Sequence, residues 1–347
     1  MFYIHQHSCI SPQQTFMFVD LETNHKPVEK KLKAIEPAYD KIPPGVLRRM
    51  GKAVRMGVGA ALPLLEDLPA PAGMIMGTAN GGKEDCVKFL NQIIEYNEGM
   101  LTPINFVQST PNAVAAQVGL LTKNQGYNIT HLHAGLAFEY AMIDADMFIS
   151  ETAANNYLLG AVDDISTYNY YFEDKAGWYK KEDISNKVLY DTETTGSIAG
   201  EAAVMFRVDG IKEDATAKVI AIDTLHNGDE NIMQERLKLF LEKYLPVNEK
   251  IDLLLSGENG DDRLMKYFTA AETIAGKDIT IARFKHFSGE FPTATAMGLW
   301  LVCHILDQQA IPGHMIKKQG SGTAYKNVLI YNNYKGIQHS FILVSLP

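Results

Sequence analysis

Along the chain, short continuous apolar runs take turns with stretches in which apolar residues recur every three or four positions. The runs at 71–77 (PAGMIMG), 156–166, 196–209, 217–225, 250–257 (KIDLLLSG) and 279–284 (ITIARF) predict buried strands, with TFMFVDL at 15–21 as an opening one. The periodic stretches predict helices over 46–65, 83–98, 110–122, 229–244, 262–276 and 292–309, Pro63 interrupting the last turn of the first. KNVLIYNNY and HSFILVSL predict a closing hairpin. The charged, proline-bearing segment 24–45 predicts a loop, and the Tyr-rich segment 167–195 irregular surface structure. Strands and helices that alternate in both halves predict an α/β protein whose sheets are covered on both faces.

One junction stands out. In GYNITHLHAGLAFEYAMIDAD (126–146) the front half alternates around Ile129 and Thr130 as a strand does, and Leu136, Tyr140, Ile143 and Met147 then follow at helical spacing. Between them Ala134 and Gly135 form a sharp strand-to-helix elbow. Such elbows often lift a Ser or Cys nucleophile onto a helix N-terminus, where backbone N–H groups favour negative charge. Here the bend carries glycine, whose freedom of φ a tight turn often needs and whose missing side chain lets another backbone approach.

Composition narrows the function classes. The chain has 347 residues, 46% apolar and 21% charged, a length that admits two domains or two fused halves. A net charge of −9 argues against a nucleic-acid binder. Cys9, Cys86 and Cys303 are scattered with no CxxC, which argues against a disulfide framework or zinc finger and fits a reducing cytoplasm. MFYIHQHSCISPQQ lacks a basic region followed by an apolar one, so no secretory signal is expected. No apolar run of about 18 residues occurs, so no membrane span is expected either.

Four segments, in order, resemble the β-ketoacyl synthases of the thiolase fold. MGTANGGKEDCVKFL (76–90) is similar to that family's glycine-bearing strand end and following helix. LTPINFVQSTPNAVAAQVGLL (101–121) resembles its P..F..S..N..A..I segment. GSIAGEAAVMFRVDG (196–210) resembles its GEGAG strand, and ARFKHFSGEFPTATAMG (282–298) its K...GH..GAAG element. The resemblance implies a five-layered αβαβα fold of two similar halves, 1–210 with the elbow and 211–347, in a protein that is usually dimeric.

It also implies where catalytic groups should stand. The family's acyl-accepting Cys falls on Gly135, where the missing side chain blocks acyl transfer, its first His near Gly257 and its second on Glu290; only its Lys persists, as Lys285. YNNYKGIQHS (331–340) departs from the glycine-rich turn that gates the family's pocket. This profile resembles chain-length-factor-like subunits, within them the type beside aryl-polyene or flexirubin-like pigment synthases. The expected partners are a Cys-bearing ketosynthase or a second copy, and an acyl carrier protein whose phosphopantetheine arm carries the substrate. No cofactor bound by the chain itself is expected. Two other functions stay open: an autonomous acyl-thioester decarboxylase or hydrolase using His133 and Glu290, and a homodimeric acyl-binding scaffold.

Further residues carry weaker signals. His131 and His133 lie two apart on a strand and could bind zinc with Glu290 or Asp261. A helix N-terminus disfavours a cation there, packed histidines are the plainer reading, and no metal is expected. Lys285 is placed to pair with Glu290 across a turn. Arg48, Lys52 and Arg55 form a basic stripe, read as a solvated helix face or as a dock for an acidic carrier protein. GTANGG (77–82) lacks phosphate-cradle spacing and reads as a turn.

Overall fold

The computed structural model describes residues 1–66 and 69–347. Its strands are β1 (Phe2–Ile10), β2 (Lys31–Leu32), β3 (Gly73–Gly77), β4 (Tyr127–His131), β5 (Tyr157–Asp163), β6 (Ala199–Gly200) and β7 (Ala202–Asp209). They continue with β8 (Ala217–His226), β9 (Leu253–Ser256), β10 (Thr280–Arg283), β11 (Ile316–Lys318), β12 (Asn327–Tyr334) and β13 (Gln338–Ser345). The helices are α1 (Pro44–Leu47), α2 (Lys52–Ala61), α3 (Lys83–Glu95), α4 (Pro103–Gln108), α5 (Ala113–Thr122) and α6 (Ala137–Glu151). They end with α7 (Thr167–Lys175), α8 (Glu230–Tyr244), α9 (Met265–Ala275), α10 (Lys285–Ser288) and α11 (Thr295–Gln308).

An 11-stranded sheet runs β11-β10-β9-β12-β13-β8-β1-β7-β5-β3-β4. Read outward from the β1–β8 seam, β1-β7-β5-β3-β4 and β8-β13-β12-β9-β10 repeat one plan. In each, two antiparallel pairings lead into two parallel ones. Helices α6 and α11 pack on each other and on strands of both sheet halves, forming the middle layer. Helices α2 and α5 cover one outer face, and α8 and α9 the other. The five-layered α/β architecture follows.

The core divides accordingly. A central cluster gathers Phe138, Met142, Phe284, Trp300 and Leu301, all at most 1% exposed. Outer clusters centre on Met56 and Val58 of α2 and on Leu237 and Phe268 of α8 and α9. Each large apolar side chain buried this way stabilises the fold by roughly 1.5–3 kcal/mol. Asp163, at the end of β5, joins the halves. One carboxylate oxygen accepts from Thr78 Oγ1 and the Ala79 and Asn80 amides, and the other from the Thr293 amide and hydroxyl.

Three expectations about elements fail. The first strand lies at Phe2–Ile10, where Phe2 and Ile4 are buried. The segment 15–21 is irregular, leaving Met17 and Phe18 largely exposed. The helix expected over 46–65 breaks into α1, α2 and a 3-10 turn at Leu62–Leu64. The segment 167–195 contains α7, which starts on a capping box in which Ser166 and Asn169 satisfy each other's backbone N–H. Among the described residues no helix is long and apolar enough to cross a membrane.

Candidate functional site

Strand β4 passes through His133 and Ala134 into Gly135, and α6 begins after one 3-10 turn. Ala134 takes the bend's left-handed conformation, φ +47°, which is strained for any residue with a Cβ. Gly135 is not left-handed, so freedom of φ does not explain it. Its neighbour does. A Cβ at 135 would lie 2.3 Å from Tyr334 Cβ and 2.4 Å from Tyr334 Cγ. The Gly135 amide donates to Gln338 Oε1 at 2.9 Å. A preorganised N–H of this kind can polarise a reacting carbonyl, but here a protein amide already takes it. Burial holds the Tyr334 phenol neutral, well above its usual 10.

Gly257 follows β9, and its N–H donates to the Tyr331 carbonyl at 2.7 Å. A Cβ there would meet Asn332 Oδ1 at 2.2 Å. The residue beside Glu290 is instead Asn259, whose Nδ2 donates to Glu290 Oε2 at 2.7 Å. Lys285 Nζ donates to Glu290 Oε1 at 2.7 Å, with the Lys285 side chain 0% and the Glu290 side chain 10% exposed. The expected Lys285–Glu290 pair therefore forms. Gly289, at φ +74° and against Gly200, makes the turn that brings Glu290 back to Lys285.

The two carboxylate oxygens of Glu290 are thus held by an ammonium and an amide. A cavity of about 30 Å³ remains between Asn259, Glu290, Phe291, Tyr334 and Tyr179, room for about one water. One helical turn past Gly135, the Glu139 carboxylate is fully buried, and neither oxygen has a hydrogen-bond partner among the described residues. Burial raises its pKa, offset in part by Thr295, Ser340 and Lys285 nearby. The three cysteines lie elsewhere, on β1, α3 and α11.

Other candidates are placed differently from expectation. His133 is exposed and packs edge-on against Tyr140, ring centroids 4.9 Å apart, and near His226. It shares no hydrogen bond with Glu290, so the structure does not assemble that acid/base pair. His131 pairs with Asp144 at 3.1 Å and Asp261 with Arg263. Among the described residues no three His, Cys, Asp or Glu side chains converge to hold an ion.

The basic stripe dissolves. Lys52 reaches the buried Glu201, and Arg55 grips Glu36 through Nε at 2.5 Å and Nη2 at 2.8 Å. Only Arg48 remains exposed, on the break between α1 and α2. Sequence reasoning missed Tyr334, Gln338, Asn332 and Asn259. For the first three, the departure of YNNYKGIQHS from a glycine-rich turn was a usable signal.

With this geometry in view, comparison with known proteins is informative. Residues 22–179 match the family described as β-ketoacyl synthase, N-terminal domain. No curated protein matches the sequence. Among solved structures, a β-ketoacyl synthase from Burkholderia phymatum STM815 superposes with TM-score 0.77 at 15% identity, over 100% of this chain and 99% of that one. The apo AntDE:AntF complex, a type II PKS acyl-carrier protein with its ketosynthase bound to the hexaketide, gives TM-score 0.79 at 13% identity with the same coverage. The ishigamide ketosynthase/chain length factor gives 0.77 at 13% identity, again over 100% and 99%. Residues 22–179 are thus similar to the ketoacyl-synthase N-terminal domain, and the chain as a whole shares the thiolase-like fold of these solved ketosynthase structures.

Proposed function

We propose that this chain is a non-catalytic subunit of the chain-length-factor type. It pairs with a Cys-bearing ketosynthase and shapes the cavity in which that partner's acyl, polyketide or polyene chain grows. The observation that carries the reading is the elbow: position 135 has no side chain, and Tyr334 occupies the space one would need. Acyl transfer needs a nucleophile that can hold the chain covalently, and glycine offers none.

The surface around β4 supports a partner. β4 is an edge strand, bonded among the described residues to β3 alone. Leu120 on α5, Leu132 just past β4 and Met147 on α6 are 74%, 54% and 63% exposed, and α5 and α6 both pack against β4. Apolar exposure on this scale marks an interaction surface. The substrate would arrive on the phosphopantetheine arm of an acyl carrier protein docked to the pair, the chain itself binding no cofactor. A product of the aryl-polyene or flexirubin type is the narrower form of the proposal.

The test is a reconstituted ketosynthase assay with and without this chain, reading product length by mass. A stable one-to-one complex that sets the length is the expected result. Turnover of malonyl or acyl thioester by the isolated chain, lost on His133→Ala, would instead establish an autonomous enzyme. Acyl-thioester binding by a homodimer, without turnover or effect on a ketosynthase, would establish a scaffold.

A further inference from the structure

Asn332 and Tyr334 stand two residues apart on β12, so their side chains share one face of the strand. On that face Tyr334 meets Gly135 at the elbow of the first half, and Asn332 meets Gly257 at the end of β9 in the second. Neither glycine has a left-handed φ, so neither is demanded by its backbone. At 135 the obstructing atoms are Tyr334 Cβ, Cγ and Cδ1, at 2.3, 2.4 and 2.6 Å, the root of a side chain, which cannot swing aside as a flexible tip does. At 257 the nearest is the tip of a side chain, Asn332 Oδ1 at 2.2 Å, with Asn332 Cγ at 3.0 Å and Cα at 3.1 Å behind it. Across the turn Gln338 fastens the hairpin, accepting from the Gly135 amide at 2.9 Å and donating to the His133 carbonyl at 3.4 Å.

We infer that β12 carries a built-in plug. Asn332 and Tyr334 fill the side-chain space at Gly257 and Gly135, so that a side chain at 135 fits and can be reached only when Tyr334 is cut back. The plug goes beyond the proposed partner role, because it is a property of the isolated chain whatever that chain pairs with.

The test uses the full chain in a Cys86→Ser background, since Cys86 is the one half-exposed thiol while Cys9 and Cys303 are buried. Gly135→Cys, Tyr334→Gly (alanine would keep the Cβ that lies 2.3 Å away) and the double variant are compared by melting temperature and by iodoacetamide alkylation followed as intact mass. Gly135→Cys alone is expected to melt well below its parent and to alkylate at least about tenfold more slowly than the double variant, a steric block of the kind overpacking produces. The double variant is expected to recover melting temperature relative to Gly135→Cys. If Gly135→Cys does not accumulate while the double variant does, that rescue is itself the predicted coupling. Equal alkylation of single and double variants, or equal failure of both to fold, overturns the inference.

Discussion

The two ends of the long sheet are built to opposite rules. At one end β11 is three residues long and reads IKK. Lys317 there pairs with Glu258 and Glu272, both at 2.6 Å, and Lys318 caps the Lys277 carbonyl. At the other end β4 is five residues, YNITH, flanked by exposed Leu120, Leu132 and Met147. Short, lysine-bearing edges are how proteins prevent strand addition, whereas a longer edge among exposed apolar groups invites it. One end is closed to company and the other is open. For the proposed pairing, the difference favours the β4 end, independently of any argument about the elbow.

The largest effect should come from breaking the open end. Leu132→Glu combined with Met147→Glu places charges in the apolar face and is expected to weaken association, with a ketosynthase or a second copy, by about a hundredfold or more, as loss of interface anchors does. Sedimentation measures it, and an unchanged melting curve shows that the monomer still folds. At the closed end, Lys317→Met leaves Glu272 without its ammonium and Glu258 with Arg283 alone. A loss of about 2 kcal/mol in denaturant unfolding is expected, as for other partly buried charge pairs broken on one side. Association should not change.

A control away from both edges sharpens the contrast. Burial, with Glu201 nearby, raises the Asp164 carboxyl from 3.8 to about 7. Between those values the folded chain keeps a proton that the unfolded chain has released. Stability should therefore fall as pH rises from about 4 to about 7 and level off above, with a slope of at most ~1.4 kcal/mol per pH unit. Asp164→Asn should flatten that slope in pH-dependent unfolding and leave association untouched. The smallest effect is Lys318→Val, expected to change stability by under ~0.5 kcal/mol while giving detectable self-association in light scattering at high concentration.

The order of the four motifs carried the fold class, whereas contacts of the site could be read where they were local. The β4–elbow–α6 junction and the Lys285–Glu290 pair rest on spacing within a few residues, and both are present. β1 escaped because His5, Gln6, His7 and Ser8 interrupt its apolar pattern, and its pairing with β7 and β8 spans some two hundred residues. Lys52 and Arg55 looked like a solvated face because nothing nearby in sequence announces Glu201 or Glu36. Tyr334 is invisible as a space-filler for the same reason: Gly135 and the hairpin meet only in three dimensions.

The grip of Asp163 on both Thr78–Asn80 and Thr293 bears on how such a molecule can be divided. A carboxylate saturated by donors from both halves of the polypeptide leaves neither piece a finished surface at the cut. Fragments produced from separate genes would each expose that severed network, so the repeated plan does not make this a modular protein.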